Sequence, residues 1–378
     1  MTDVVIAGYA RSPFQPAHKG SLARVRPDEL AAQVIAGLIE RTRIEPQAIE
    51  DVIVGCAFPE GEQGLNVARL IGFLAKVPER AAAATVNRFC GSSMQAVHMA
   101  AGAIAMGAGE AFVCAGVESM TRVPVLGFNP MPHPGLAARY PQAYLAMGET
   151  AENLARMHQI TRHDQEEFAA GSQRKAAAAH MAGRLADEIV HVRSGDATVA
   201  LDGCIRPETT IERLAELKPA FDAAGTVTAG TSSPLTDGAS AVLVTSGAFA
   251  RARGLEILAR IRGIAVAGCA PEIMGIGPVP AAQKALERAG VRLEDIDLIE
   301  LNEAFAAQVL AVVRTLGIDE GRLNPDGGAI ALGHPLGASG ARITGKAAAL
   351  LRREGKSLAL ATMCIGGGQG IATVLEAV

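Results

Sequence analysis

Two cysteines, a histidine and an asparagine hold the chemical potential of this sequence. Cys90 stands in Asn87-Arg88-Phe89-Cys90-Gly91-Ser92-Ser93, just ahead of a small, apolar run that predicts a helix continuing towards Met106. Unpaired amides and the helix dipole at such an N-terminus favour a thiolate. His334 lies in a glycine-bordered turn within Gly327 to Gly340, beside Pro335 and ahead of another helical run. Cys364 follows a buried strand and precedes Ile365-Gly366-Gly367-Gly368-Gln369-Gly370, whose glycines expose amides suited to an anion-receptive nest. Asn302 closes an apolar strand, the kind of position where open α/β folds gather ligands. A Cys–His pair suits nucleophilic acyl transfer, because a thiolate attacks carbonyls and a thiol leaves well. A second cysteine in place of a carboxylate points to proton transfer by sulfur. Each residue also has a purely structural reading: packing for either cysteine, a backbone hydrogen bond for His334, a helix cap for Asn302. Spacing alone does not decide whether the four meet.

The elements that would position them alternate. Val4 to Gly8 and Asp51 to Gly55 read as strands, and a helix starting near Pro27 carries Ala31, Ile35 and Leu38 on one face, with Asp28 as its expected cap. The approach from Thr85 to Asn87 reads as strand-less before the Cys90 helix, and Ala111 to Gly116 as a buried strand. Such alternation argues for a parallel or mixed sheet with helices on its faces. Prolines and glycines break the pattern from Pro124 to Tyr144. Helices follow from Glu149 to Met157 and from Thr161 to Met181, with Thr161 and Asp164 spaced as a capping box. Past Ala239 the opening pattern recurs: Pro280-Ala281-Ala282-Gln283 echoes Leu30-Ala31-Ala32-Gln33, Asp297 to Glu300 echoes Asp51 to Val54, and Leu358 to Met363 echoes Ala111 to Ala115. Two such αβ halves would create a cleft where helix N-termini meet.

Composition sets the bounds. The chain has 378 residues, enough for two or more cores, with 49% hydrophobic and 20% charged residues. A net charge of −4 gives no whole-chain case for nucleic acid or an anionic membrane. No run approaches the ~18 apolar residues of a membrane span, and the start of the chain carries no secretion-like leader. Six scattered cysteines without a CxxC pair argue against a disulfide scaffold or zinc, and for reduced thiols in a cytoplasmic setting.

Several motifs together identify a resemblance. Val86 to Ser93, Gly116-Val117-Glu118-Ser119-Met120, Asn302-Glu303-Ala304-Phe305, Gly327 to Gly340 and Cys364 to Gly370 resemble those of the thiolases, in family order and over essentially the whole chain. The resemblance implies an α/β thiolase fold: two similar α–β–α core halves in a five-layered α–β–α–β–α arrangement, with an inserted helical loop domain. The implied boundaries are 1–119 with 233–255 for the N-terminal half, 120–232 for the loop domain over the coenzyme A (CoA) channel, and 256–378 for the C-terminal half. It further implies that Cys90 takes the acyl group, His334 activates its thiol and Cys364 is the general acid/base. Asn302 would hold a water that stabilises one oxyanion together with His334 Nε2, and the amides of Cys90 and Gly366 would stabilise the other. Arg206 and Ser233 fall where family members contact CoA. Phe221, Met147 and Met274 take the place of pantetheine or acyl-pocket residues. CoA and acyl-CoA are the implied substrates, with no metal and no tightly bound cofactor. A homodimer or homotetramer is expected, with room for a fatty-acid oxidation partner enzyme.

The expected reaction is thiolytic cleavage of a 3-oxoacyl-CoA, as in fatty-acid β-oxidation. Biosynthetic relatives commonly carry histidine before the methionine–glycine of the covering segment; here Ala146 precedes Met147-Gly148, leaving a wider and less polar pocket. The alternative is an acetoacetyl-CoA thiolase condensing two acetyl-CoA, and behind both stands a non-catalytic acyl-CoA-binding thiolase-fold protein. Thr231, Pro234 and the Asn324-Pro325-Asp326-Gly327 approach depart from the usual family pattern.

Overall fold

The computed structural model describes residues 3–378. Its strands form two similar sets. In the first, Val4–Arg11 pairs antiparallel with Thr236–Ser246, which pairs antiparallel with Ala111–Ser119; Asp51–Gly55 and then Ala82–Val86 continue in parallel to the edge. In the second, Ala259–Gly268, Gln369–Glu376, Leu358–Ile365 and Leu298–Leu301 repeat that order and those directions, short of one edge strand. The sets touch through Val5 and Ile6 against Arg260 and Ala259. The repeat read in the sequence is therefore real: Leu298–Leu301 takes the place of Asp51–Gly55, and Leu358–Ile365 that of Ala111–Ser119.

Three apolar cores make the layers. Helix Pro27–Thr42 buries Leu30, Val34, Ile35 and Leu38 on the outer face of the first sheet. Helices Pro278–Ala289 and Ala306–Leu316 do the same for the second through Leu286, Val309 and Val313. Between the sheets lie helices Ser92–Ala105 and Leu336–Glu354, whose Met94, Val97, Ile104, Ile343, Leu350 and Leu351 share one core. This is the five-layered α–β–α–β–α arrangement. A Cβ on Gly340 would strike the Met94 amide, so glycine is what lets the two central helices come so close.

Two local expectations change. Asp28 does not cap its helix: Pro27 takes the first turn, Arg26 is the cap residue, and Asp28 pairs with Arg26 instead. Cys90 is also not approached without a strand, because Ala82–Val86 forms the sheet edge. Ala82-Ala83-Ala84 has helical propensity, and pairing with Asp51–Gly55 overrides it. The Thr161–Asp164 capping box forms as read, with bonds of 3.1 and 3.0 Å. Among the described residues no helix is long and apolar enough to cross a membrane.

Candidate active site

The N-termini of the two central helices meet at Gly116. A Cβ there would strike the Gly337 carbonyl and approach Ser93 and Ala338, and the Ala341 amide bonds Ser93 Oγ at 2.8 Å. Cys90 immediately precedes one helix's cap and His334 the other's, so the sheet's close approach at one glycine brings their elements together. Glu118, buried two residues on, ties the same corner by accepting from the amides of Ala57 (2.8 Å) and Gly337 (2.9 Å) and from Gln63 (2.8 Å).

Cys90 sits on a tight turn. Phe89 adopts a left-handed φ of 43°, and Gly91 N–H and Ser92 N–H close the turn onto Arg88 and Phe89 carbonyls, each at 3.0 Å. Arg88 anchors it across the halves, donating to Gln95 at 2.8 Å and to Gln369 at 2.7 Å. Gln369 ends the glycine hairpin that follows Cys364. There Gly367 and Gly368, with φ of 77° and 83°, reverse the chain within three residues. The hairpin sets the buried Gly366 beside the Cys90 turn, near the Phe89 ring, and the amides of Gly366 and Cys90 act to lower the thiol's pKa.

Protein packed around the sulfur outweighs these amides. It pushes the Cys90 thiol up to about 12, although the residue as a whole is only half-buried. Desolvation thus opposes the thiolate that a helix N-terminus favours, and Cys90 stands ahead of the Gly91 cap rather than in the first helical turn. Cys364 is buried, and its thiol is also raised, first by desolvation and then by the charge that Cys90 and Cys269 would carry.

His334 and Asn302 form the other half. Burial, helped by Arg342, lowers His334 to about 3, so its imidazole rests neutral. Its Nδ1 lies 2.6 Å from Ser339 Oγ. Asn302 Nδ2 stands 3.4 Å from Nε2 and 3.5 Å from Nδ1, too far for a strong bond, while Asn302 Oδ1 is buried with no protein partner among the described residues. A water seat fits that unfilled acceptor. Asn302 and Cys364 end adjacent parallel strands: Leu301 pairs with Thr362, and the Asn302 amide bonds the Thr362 carbonyl at 3.1 Å.

The pocket residues divide. Met274 and Met147 pack in the same apolar cluster as Cys364 and Phe305, and Met147 Sδ reaches the space above Gly366. Phe221, 44% exposed, lies over Gly148 and stacks edge-on to Phe305 with ring centroids 5.8 Å apart. Ser233 is held beside the site by its amide bond to Ala304 at 3.0 Å. Arg206 is exposed. It is anchored through its backbone amide to Gln173, and its guanidinium has no ion pair among the described residues. A cleft of about 740 Å³ beside Phe221 is lined by Glu149, Glu152, Asp222 and Glu272 against one arginine, Arg156, which makes it a poor seat for a diphosphate. No described group of three or more His, Cys, Asp or Glu residues is placed to hold a metal ion.

Sequence reasoning missed the supports. Glu303 accepts from Ser172 (2.6 Å), Asn324 (2.8 Å) and the Ile330 amide (3.2 Å), pinning the histidine turn to the strand that ends at Asn302. Thr236 Oγ1 accepts from the His334 amide at 3.0 Å. Glu118 and Glu303 stood inside quoted motifs, and two acidic residues within apolar runs were the available signal.

This fold and paired-cysteine site define a thiolase, and the comparisons agree. Residues 4–248 match the thiolase N-terminal domain and residues 255–377 the thiolase C-terminal domain, so the chain belongs to the thiolase family. It is 52% identical to a 3-ketoacyl-CoA thiolase of Shewanella loihica, each chain covered in full. The human mitochondrial 3-ketoacyl-CoA thiolase in complex with CoA superimposes with a TM-score of 0.93 at 38% identity, covering 100% of this chain and 98% of that one. The Bacillus anthracis acetyl-CoA acetyltransferase superimposes with a TM-score of 0.92 at 39% identity, covering 100% and 99%.

Proposed function

We propose that this protein cleaves 3-ketoacyl-CoA with CoA, giving acetyl-CoA and an acyl-CoA shortened by two carbons through an acyl group carried on Cys90. The observation that carries this reading is the 2.7 Å bond from Arg88 to Gln369, which ties the Cys90 turn to the hairpin that follows Cys364. The full-length likeness to a 3-ketoacyl-CoA thiolase supports the substrate class.

Cys90 Sγ attacks the keto carbon as its proton passes to His334 Nε2. Because the resting pair is thiol and neutral imidazole, this transfer accompanies attack, when the growing oxyanion in reach of the Cys90 and Gly366 amides stabilises the imidazolium. The bond between the α-carbon and keto carbon then breaks. Its electron pair forms the acetyl-CoA enolate, whose oxygen is held by His334 Nε2 and an Asn302-bound water, and Cys364 gives its proton to the α-carbon. CoA enters, loses its thiol proton to Cys364, and displaces the acyl group from Cys90, which recovers its proton from His334. Cys364 is thus acid and then base, restored at the end of the cycle.

In this reading residues 120–232 cover the CoA channel between core halves 1–119 with 233–255 and 256–378. Met147 and Met274 line the acyl pocket, Phe221 and Ser233 the pantetheine path, and Arg206 takes a CoA phosphate; its free guanidinium supports that role. A homodimer is supported by the open edge of Ala82–Val86 beside exposed Leu65, Phe73 and Leu74. Six cysteines, all free thiols, fit a cytoplasmic setting. CoA-dependent cleavage assayed from four-carbon to long-chain 3-ketoacyl-CoA tests the function. Cleavage of substrates longer than four carbons is expected; activity confined to acetoacetyl-CoA would replace it with the biosynthetic reading.

A further inference from the structure

The helix that follows His334 and the strand that ends at Asn302 are joined by one buried ion pair. Arg342, on Leu336–Glu354, places Nη1 3.0 Å from Oε2 of Glu300, on Leu298–Leu301, and both side chains are almost wholly buried. Among the described residues this is the one side-chain hydrogen bond between those two elements. The pair is not satisfied by its surroundings: Arg342 Nε and Nη2 and Glu300 Oε1 have no protein partner among the described residues. Apolar side chains would hold two packed layers at least as well as a buried ion pair does. Stability alone therefore gives little reason for charge at this point, whereas a directional link between two site-bearing elements does.

We propose that the Arg342–Glu300 pair is a positioning device that sets the separation of Asn302 and His334, and so governs carbon–carbon bond exchange more than acyl transfer to Cys90. The proposal rests on the reading of Asn302 and His334 as the seat of the enolate oxygen. Glu300 stands two residues before Asn302, and Arg342 is on the helix whose Ser339 orients His334. A tilt of that helix against the strand would open the 3.4 Å approach of Asn302 Nδ2 to His334 Nε2 while leaving the Cys90 and Gly366 amides in place.

The pair also responds to pH. Glu300 faces Arg342 and Lys346 from the helix, Asp326 from the turn ahead of Ala329–Leu332, Glu188 from Ala186–Glu188, and Tyr9 from the first strand. Burial pushes its carboxyl up to about 7, Arg342 and Lys346 pull it down, and Asp326 and Glu188 push it up. A carboxyl held near 7 takes up its proton on the acid side of neutrality, which weakens the ionic link.

Two reactions passing through the same butyryl-Cys90 test this. One is exchange of labelled CoA into butyryl-CoA, which needs acyl transfer alone; the other is thiolysis of 3-ketohexanoyl-CoA, which also needs the enolate site. Glu300→Gln is expected to lower the thiolysis-to-exchange ratio about tenfold, as a small misplacement in the site would, with KM for CoA unchanged. The wild-type ratio should fall below neutral pH, and the variant's should not. Arg342→Lys, which keeps the charge but is too short to place it where Nη1 meets Glu300, should lie between. If Glu300→Gln fails to fold, the double variant Glu300→Gln/Arg342→Gln, which buries no unpaired charge, decides by the same ratio. Equal loss of both rates, or no change in the ratio, overturns the proposal. Asn302→Ala separates the two levels. If it too leaves the ratio unchanged, the enolate-site reading fails; if it lowers the ratio where Glu300→Gln does not, only the positioning role fails.

Discussion

Nδ1 of His334 lies 2.6 Å from Oγ of Ser339, whose hydroxyl in turn donates to the Pro335 carbonyl at 3.2 Å. The proposed cycle requires the tautomer in which the hydroxyl donates to that carbonyl and Nδ1 donates to Ser339, which leaves Nε2 free to accept the Cys90 proton. Ser339→Ala removes the group that selects this tautomer. Its kcat should fall roughly tenfold to a hundredfold, with KM for CoA little changed. Steady-state thiolysis checks this, and an unaltered kcat would show that the tautomer is set elsewhere.

The Cys90 thiol at about 12 and His334 at about 3 describe an uncharged resting pair. Raising a thiol's pKa reduces its thiolate fraction at every pH below that value. Inactivation of the free enzyme by iodoacetamide, read at the Cys90 peptide, should therefore accelerate about tenfold per pH unit from neutrality towards pH ~9, without a plateau. An early plateau would mean a stabilised thiolate.

In the proposed cycle Cys90 and Cys364 divide the labour. Cys90→Ser should almost abolish acyl-enzyme formation. Cys364→Ala should lose carbon–carbon bond exchange far more than acylation by a simple thioester, because only the former needs a proton at the substrate α-carbon. Comparing thiolysis with thioester–CoA exchange tests the split. Normal acetoacetyl-CoA cleavage by Cys364→Ala would remove the acid/base role from that residue.

Gly340→Ala places a methyl group against the Met94 backbone, where no side chain can swing away. Separation of the central helices should cost about 1–3 kcal/mol of stability. It should also lower activity, since His334 and Cys90 each precede one of those helices. Thermal unfolding and thiolysis of the same preparation check both effects.

The fold was legible where the sequence repeats its own pattern. Alternation of buried strands and amphipathic helices gave both halves, and Thr161 with Asp164 marked a helix start. The edge strand Ala82–Val86 was not legible, because alanine carries no strand signal and only its partner makes it a strand. At the site, Cys90, His334, Cys364 and Asn302 stood out as reactive types at the ends of elements, and Gly366 came only with the family resemblance. Their supports did not: Ser339 and Arg342 lie in the helical run after His334 with nothing local to mark them, and Arg88 stood only as part of a motif. Contacts such as Arg88 to Gln369 span most of the chain, and no local pattern encodes them. The desolvation that opposes a thiolate on Cys90 is likewise invisible locally, since it comes from the fold packed around the sulfur.

The central claim is that Cys90 holds the shortened acyl group. Incubating the enzyme with 3-ketohexanoyl-CoA in the absence of added CoA, quenching in acid and mapping peptides by mass spectrometry tests it directly. The account predicts a butyryl group on the peptide containing Cys90 and an unmodified Cys364. A butyryl group on Cys364, or acetyl-CoA release with no acylated peptide, would contradict it.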